Sequence, residues 1–398
     1  MRSWRAPCVM IVGFLAGCGG ADDPAPTAAP LTVVADDRSD VPIAGLPAEW
    51  RDRFLLGDAL FDQTNGEAGG LGPLFIRSSC GACHALDSRG PGFVEKFPAT
   101  TGVELPYGVT RRPFATAGAK TPIETPPGVA ATVRLPPPVF GRGYVEAIEE
   151  SEILRVEAEQ AARTDGIRGR AHRLTYASEL SADPLFSTLT KGASAIGRFG
   201  LKARVPTLDD FAADAYQGDM GLTSPLRPTE LPNPDGLTDD DKPGVDLSLE
   251  TISEVAAYMR LLAIPKRPAP DARGAALFAQ ADCAVCHVPT LRTRADWPVP
   301  AQAGIDAPVY TDLLLHDMGD GLADGVTDLA AGPRDWKTPP LMGLRLQRAL
   351  LHDGRAKTVE DAIAAHDSEG SEARGSAQKF RALSGDDRAA LLTFVSSL

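Results

Sequence analysis

The chain is short of positive charge. Forty Lys and Arg stand against 53 Asp and Glu, a formal net charge of −13. A phosphate backbone needs a basic footprint, so nucleic acid is excluded as a partner. Cysteine is scarce and fully committed. Of the six, Cys8 and Cys18 lie in the N-terminal leader region, and the other four fall into two short motifs. None is left for a structural disulfide. Histidine is equally rare, with six residues in all. Glycine and proline, 39 and 34 residues, are by contrast plentiful and predict long irregular loops between helices.

The N-terminus lacks the apolar length of a membrane span. Val9 to Ala16 is a short run behind Arg2 and Arg5, too short to cross a bilayer and suited to a signal peptide. It ends in Leu15-Ala16-Gly17-Cys18, which resembles the bacterial lipobox. That pattern implies cleavage before Cys18 and lipid on its new N-terminus. The following stretch to about Asp40, rich in Pro, Ala, Asp and Thr, cannot bury a core and reads as a tether. The expectation is a signal peptide over 1–17, a tether over 18–43, and a periplasmic protein held to the membrane by lipid at Cys18. Gly19 in place of Asp points to the outer membrane.

The remaining cysteines stand in Cys80-Gly-Ala-Cys83-His84 and Cys283-Ala-Val-Cys286-His287. C-x-x-C-H is the attachment pattern of haem c. Two thiols one helical turn apart can add to the two vinyl groups of one porphyrin, and the next residue brings an imidazole under the iron. A Cys₄ zinc site would set its pairs about 15–20 residues apart, whereas these lie in opposite halves of the chain. A thioredoxin-like pair or a disulfide would need no following His. Two covalent haems are expected, with His84 and His287 as proximal iron ligands.

The halves repeat. Gly57-Asp-Ala-Leu60-Phe61 precedes the first motif and Gly274-Ala-Ala-Leu277-Phe278 the second. Thr207-Leu-Asp-Asp210 follows the first and Thr358-Val-Glu-Asp361 the second. Each half closes on a Leu-Ser pair, Leu247-Ser248 and Leu383-Ser384. At matching offsets behind these come Val255, Tyr258 and Leu262, and Leu391, Phe394 and Leu398. That spacing makes one apolar helical face behind a Ser N-cap. The outline predicts a mainly α fold of two cytochrome-c-like domains with long irregular loops. The first spans 44–265 with insertions and the second 266–398, with the proline-rich Ala263–Pro270 as a stiff linker between them. Ser88 to Gly143, long and rich in Pro and Gly, is expected to cover the first haem or build the contact between domains.

Further segments carry a family resemblance. Gly69-Gly-Leu-Gly-Pro-Leu-Phe75, Pro137-Pro-Val-Phe-Gly-Arg-Gly143, Gly197-Arg-Phe-Gly200, Gly218-Asp-Met-Gly-Leu-Thr-Ser-Pro225, Tyr310-Thr-Asp-Leu-Leu-Leu-His-Asp-Met-Gly319 and Leu351-His-Asp-Gly-Arg355 resemble the di-haem oxidoreductase family, from about Ala44 to the C-terminus. More distantly the chain is similar to bacterial di-haem cytochrome c peroxidases and to the MauG proteins. The resemblance implies that the helix begun by Thr358 supplies the sixth ligand of the second haem, a position held here by His366. The peroxidases carry a distal loop His soon after the first motif. This chain has no His between His84 and His172, so an open or weakly ligated first iron is expected. The peroxidase acid corresponds to Asp219, with Lys202 as a rival that could ligate iron or bind a propionate. His316 is a candidate propionate or interface residue, and Met318 a weaker rival ligand. His352 reads as a buried structural His, and His172, flanked by Arg170 and Arg173, as a surface residue. The Trp that the relatives place between their haems falls at Leu201, and no residues matching their Ca²⁺ site were found.

What stands opposite the proximal His decides between electron transfer and catalysis. The expected function is a di-haem oxidoreductase. Its second haem takes electrons from a small redox donor, a cytochrome or a cupredoxin, and its first reduces peroxide or another small oxidant. A carrier with no substrate of its own, and an oxidase of thiols or another organic substrate, are the alternatives. A carrier wants two strong distal ligands, and only the second half offers one plainly.

Overall fold

The computed structural model describes residues 40–84, 93–98, 105, 108–120, 124–125, 127–237 and 244–398. The leader, Cys18 and most of the tether lie outside them, as do parts of the long insertion. Among the described residues the helices are α1 (Ala48–Asp62), α2 (Arg142–Ala147), α3 (Glu150–Ala161), α4 (Leu208–Ala215), α5 (Leu249–Leu261), α6 (Ala272–Gln280), α7 (Cys283–Cys286), α8 (Val359–Ala365), α9 (Arg374–Ala382) and α10 (Gly385–Ser396). The strands are fragments of two or three residues. Antiparallel pairs join β1 (Leu74–Phe75) to a later β4 (Phe114–Ala115), and β2 (Val94–Lys96) to both β3 (Thr110–Arg111) and β5 (Thr132–Arg134). Further on, β6 (Arg173–Thr175) pairs with β7 (Ser194–Ile196), β8 (Leu291–Arg292) with β9 (Asp306–Ala307), and β10 (Leu315–Asp317) with β11 (Asp335–Lys337). Helix outweighs strand, 34% to 13%, so the fold is mainly α. No helix of the described residues is long and apolar enough to cross a membrane.

The repeated sequence features become repeated packing. Ser248 and Ser384 cap α5 and α10, each accepting from the backbone N–H three residues on. Thr207 and Thr358 do the same for α4 and α8, the latter in a full capping box with Asp361. In the first half α1 crosses α5 at Gly57, where a Cβ would stand 2.2 Å from the Glu254 carbonyl and 2.7 Å from Tyr258 Cβ. In the second, α6 crosses α10 at Gly274, where a Cβ would stand 2.4 Å from the Ala390 carbonyl and 2.5 Å from Phe394 Cβ. Beside each crossing one aromatic pair closes the contact, Phe61 with Tyr258 at 5.2 Å and Phe278 with Phe394 at 5.5 Å.

The two largest apolar cores of the described residues do not divide at the proline-rich stretch. The larger draws on Trp50, Phe54, Tyr144 and Tyr258 from the first half, and also on Leu291, Trp297, Val309 and Leu314 from the second. Ile264, inside the proline-rich stretch, is 4% exposed and belongs to the same core. The smaller core, Leu277, Phe278, Phe380, Leu391 and Phe394, belongs to the second half alone.

Candidate functional site

The second motif is set by a short helical turn. Asp282 takes a left-handed conformation, φ 59°, at the end of α6 and reverses the chain into α7, which places Cys283 and Cys286 one turn apart. His287 follows, its N–H bonded to the Cys283 carbonyl at 2.9 Å. Its Nδ1 lies 3.2 Å from the Tyr310 carbonyl. A carbonyl only accepts, so Nδ1 carries the proton and the Nε2 lone pair is left free. His366, the C-cap of α8, repeats this arrangement, with Nδ1 donating to the Ala362 carbonyl at 2.6 Å. Burial pushes His287 down to about 4, with His366 nearby adding to the effect, and burial lowers His366 as well. Both imidazoles are held neutral, the form that binds a metal.

The two motif thiols and both histidines line one cleft. Its walls are mostly apolar, with Phe278, Leu341, Leu350, Ile363 and Leu391 among them. A planar apolar cofactor tethered by two sulfurs and gripped by two imidazoles fits this donor set. Burial pushes Cys283 up to about 12 and raises Cys286; burial likewise raises Cys80 and carries Cys83 to about 11. None of the four is a reactive thiolate at neutral pH, which disfavours dithiol redox chemistry.

His316 sits on β10, 2% exposed, with Nε2 at 2.9 Å from Asp312 Oδ2 and Nδ1 at 2.7 Å from Glu372 Oε2. Burial alone would lower its pKa, but Cys286 and Asp312 beside it hold it well above the ordinary imidazole value. Both nitrogens are committed to carboxylates. His316 is therefore a fixed cation 3.9 Å from the Cys286 sulfur, with no lone pair to offer iron. Met318 also lines the cleft.

Lys202 was expected as an iron or propionate ligand. The structure instead buries it completely and spends its ammonium on the Gly332 and Asp335 carbonyls at 2.7 and 2.9 Å. Asp324 stands 3.6 Å away and the Trp336 ring 4.0 Å away. With its protons directed at these acceptors, Lys202 is a clamp on the loop before β11 rather than a free donor. The lone Lys in a Gly-rich stretch gave no sign of this, because its partners lie about 130 residues on.

At the first motif, Cys83 and His84 both bond back to the Cys80 carbonyl, at 3.0 and 2.9 Å, and Phe61 stands 6.1 Å from the His84 ring. Asp219 lies in a π-helical turn, Tyr216–Met220, that continues α4; such turns often mark functional positions. Its carbonyl accepts from Ile76 N at 2.6 Å, which pins the turn to the segment leading into Cys80. Burial pushes the Asp219 carboxyl up to about 6, with Asp214 adding and Lys96 and Arg204 opposing. Its charge in turn raises Cys80 and Cys83. Asp219 and the first motif are therefore brought together. Lys96 on β2, inside the long insertion, was not picked out from the sequence, because only pairing between distant strands carries it to this site.

Two histidine expectations meet the structure differently. His352 is buried and stacks on Trp336, ring centroids 4.0 Å apart. His172 is not a surface residue: it is 1% exposed, with Nδ1 2.8 Å from the Lys202 carbonyl. Its arginine neighbours misled because Arg170 and Arg173 carry their charges outward to Asp335 and Glu157 while His172 between them turns inward. Leu201 lines the second cleft beside Trp336, so a tryptophan stands near the expected place but comes from the other half.

A family model described as "Di-haem oxidoreductase, putative peroxidase" matches residues 123–398. No relative was found among curated proteins. Among solved structures, a MauG-like protein associated with microbial copper homeostasis is 15% identical, with TM-score 0.43, covering 91% of this chain and 92% of its own. Hydrazine synthase of Kuenenia stuttgartiensis is 12% identical, with TM-score 0.41, covering 94% of this chain and 100% of its own. The di-haem peroxidase BthA of Burkholderia thailandensis is 14% identical, with TM-score 0.39, covering 86% of each chain. Scores this low leave the assignment to the family match.

Proposed function

The chain belongs to the di-haem oxidoreductase family, and from that premise we propose that it binds two haems covalently, one through Cys80 and Cys83 and one through Cys283 and Cys286, in two cytochrome-c-like lobes. The second haem receives electrons from a small redox protein, and the first reduces peroxide. The Gly57 and Gly274 helix crossings support the paired lobes. The lipobox at Cys18 supports export to the periplasm and a lipid tether, with the outer membrane as its destination.

One observation carries this reading: the two sites differ in what they can place opposite the proximal imidazole. His287 and His366 share one cleft, each neutral, each with Nδ1 anchored to a carbonyl. That arrangement favours a six-coordinate, electron-transferring haem. The first motif offers His84 and, near it, the Asp219 carboxylate. When bound, the haems supply the one-electron chemistry and the peroxide site. The chain's own part at the first site is proton handling. The Asp219 carboxylate takes a proton from one peroxide oxygen and returns it to the other, and a pKa near 6 suits both directions. Lys96 and Arg204 keep that carboxylate ionised at neutral pH. At the second site the chain orients two ring planes through backbone carbonyls and excludes water with an apolar wall.

Electron paramagnetic resonance on the oxidised and half-reduced protein, with and without peroxide, tests the proposal. One low-spin signal and one high-spin signal that peroxide removes is the expected result. Two low-spin signals indifferent to peroxide would make the protein an electron carrier and reject the enzyme.

A further inference from the structure

Among the cations lining the second cleft, one has nothing to bind. Arg198 is spent on the Val145 and Glu146 carbonyls at 3.1 and 3.0 Å, and Arg142 donates Nε to the Pro138 carbonyl at 2.6 Å. Lys337, at the end of β11, is 8% exposed and lines the cleft. Its backbone N–H reaches the Leu201 carbonyl at 3.0 Å. Its ammonium has no hydrogen-bond or ion-pair partner among the described residues.

A buried ammonium without a counter-charge is costly. Arg142 close by makes the position worse, and burial together with Arg142 lowers Lys337 to about 7. Asp312, the carboxylate that acts on it, is already bonded to Gln160 at 2.8 Å and to His316 at 2.9 Å. The carboxylate on the cleft wall, Asp282, is paired with Lys379. The protein thus keeps an unneutralised cation at the wall of a largely apolar cleft, beside a second cation. A ligand that fits such a cleft is apolar over most of its area and anionic at one edge.

We propose that Lys337, seconded by Arg142, binds a carboxylate of the cleft's ligand, and that this carboxylate is a propionate of the second haem. This rests on the reading of that cleft as a haem site. Neither residue follows from the attachment motif, because both come from segments distant from it in sequence. Their role is to seat the macrocycle edge and to set its charge environment. A cation beside a propionate favours the reduced, less positive state of the iron.

The test uses the full chain matured in a host competent in haem attachment. Pyridine haemochrome comes first: fewer than two haems per wild-type chain overturns the haem reading and this inference with it. With two haems present, Lys337→Met is expected to lower the midpoint potential of the low-spin haem, to shift the propionate bending band in its resonance Raman spectrum, and to leave the other haem's potential in place. Lys337→Arg is expected to restore both signals. Arg142→Gln moves the same band and carries the test should the methionine variant fail to accumulate. A potential and a propionate band both unchanged in the loaded variant overturn the inference while leaving the haem reading intact.

Discussion

Replacing Gly274 by Ala should unfold the second lobe's helix pair at a lower temperature, although the same change in an open helix stabilises. Ala is favoured over Gly in a helix interior by about 1 kcal/mol. Against that, the new Cβ would stand 2.4 Å from the Ala390 carbonyl and 2.5 Å from Phe394 Cβ, where ordinary contact begins at 3.4 Å. The obstacles are the backbone and the root of a side chain, so α6 and α10 must separate by about 1 Å. A gap of that size forfeits roughly a quarter to a half of each dispersion contact across it, and forced overpacking costs about 1–3 kcal/mol. The Phe278–Phe394 pair at 5.5 Å lies on the affected face. The net expectation is a loss of about 2 kcal/mol, a fall in Tm on the order of 5 °C. Thermal unfolding followed by far-ultraviolet circular dichroism and by Soret absorbance measures it. Gly375 in α9 is the control: nothing lies within 4 Å of its would-be Cβ, so Gly375→Ala should be neutral or stabilise by roughly 0.5 kcal/mol. A Gly274→Ala protein as stable as the wild type would refute the argument that glycine is there to let the helices touch.

Five other outcomes follow from the sites. His366→Ala should convert one low-spin haem to high-spin in electron paramagnetic resonance; an unchanged spectrum removes His366 from the iron. Asp219→Asn should cut peroxide turnover about 10²–10⁴-fold, and unaltered turnover rejects the proton role. Because burial raises the Asp219 pKa to about 6, the wild type should lose activity as pH falls through 6, where the base becomes protonated. The same raised pKa means that any contribution of this group to stability is fully present below its unfolded value near 4 and is lost as pH rises through 6; pH-dependent denaturation of the wild type and Asp219→Asn checks that sign. Lys202→Met should cost about 3 kcal/mol in chemical denaturation, because it leaves the Gly332 and Asp335 carbonyls without their donor and removes one of the two cations beside Asp324, while turnover per folded molecule holds.

What the sequence disclosed was whatever is local. Cys-x-x-Cys-His declares its chemistry within five residues, Ser248 and Ser384 declare two helix starts, and the Gly57–Phe61 and Gly274–Phe278 segments declare a duplication. His366 could be singled out because it lies a short way along a helix that Thr358 begins. The rest depends on contacts between segments far apart in the chain. Lys337 looks like any strand lysine until its partners are counted, Lys202 is clamped by a loop about 130 residues away, and His172 is buried despite two arginine neighbours. Trp336 reaches the neighbourhood of Leu201 because β11 hydrogen-bonds across to it, through Lys337 N and the Leu201 carbonyl. The core's disregard for the proline-rich stretch was equally hidden, since apolar spacing reports that a residue is buried and not against which half.

The charges joining the two halves are sorted by sign, and this bears on why the second half is not free to swing. The first half supplies Arg134, Arg170, Lys202 and Arg204; the loop leading into β11 supplies Asp324, Asp328 and Asp335. Arg134 meets Asp324 at 2.6 Å with both side chains buried, Arg204 bonds Asp214 and lies 3.7 Å from Asp328, and Arg170 pairs with Asp335. The Arg170 and Arg204 side chains are a third or more exposed, so their pairs add little. Burial makes the contacts of Asp324 with Arg134 and Lys202 poor sources of stability, because desolvation offsets most of the Coulomb gain. It also makes them severe about geometry, since separating one partner strands the other and costs about 3–5 kcal/mol. Rotation of the loop would strand these buried charges together, whereas an apolar contact of the same area could slide. The Trp336 ring lies within this lattice, between His352 at 4.0 Å, Lys202 at 4.0 Å and Arg134 at 5.4 Å. The electron passage proposed above needs a fixed separation between the halves more than a tight interface, and an arrangement that adds little stability yet penalises displacement would meet that need.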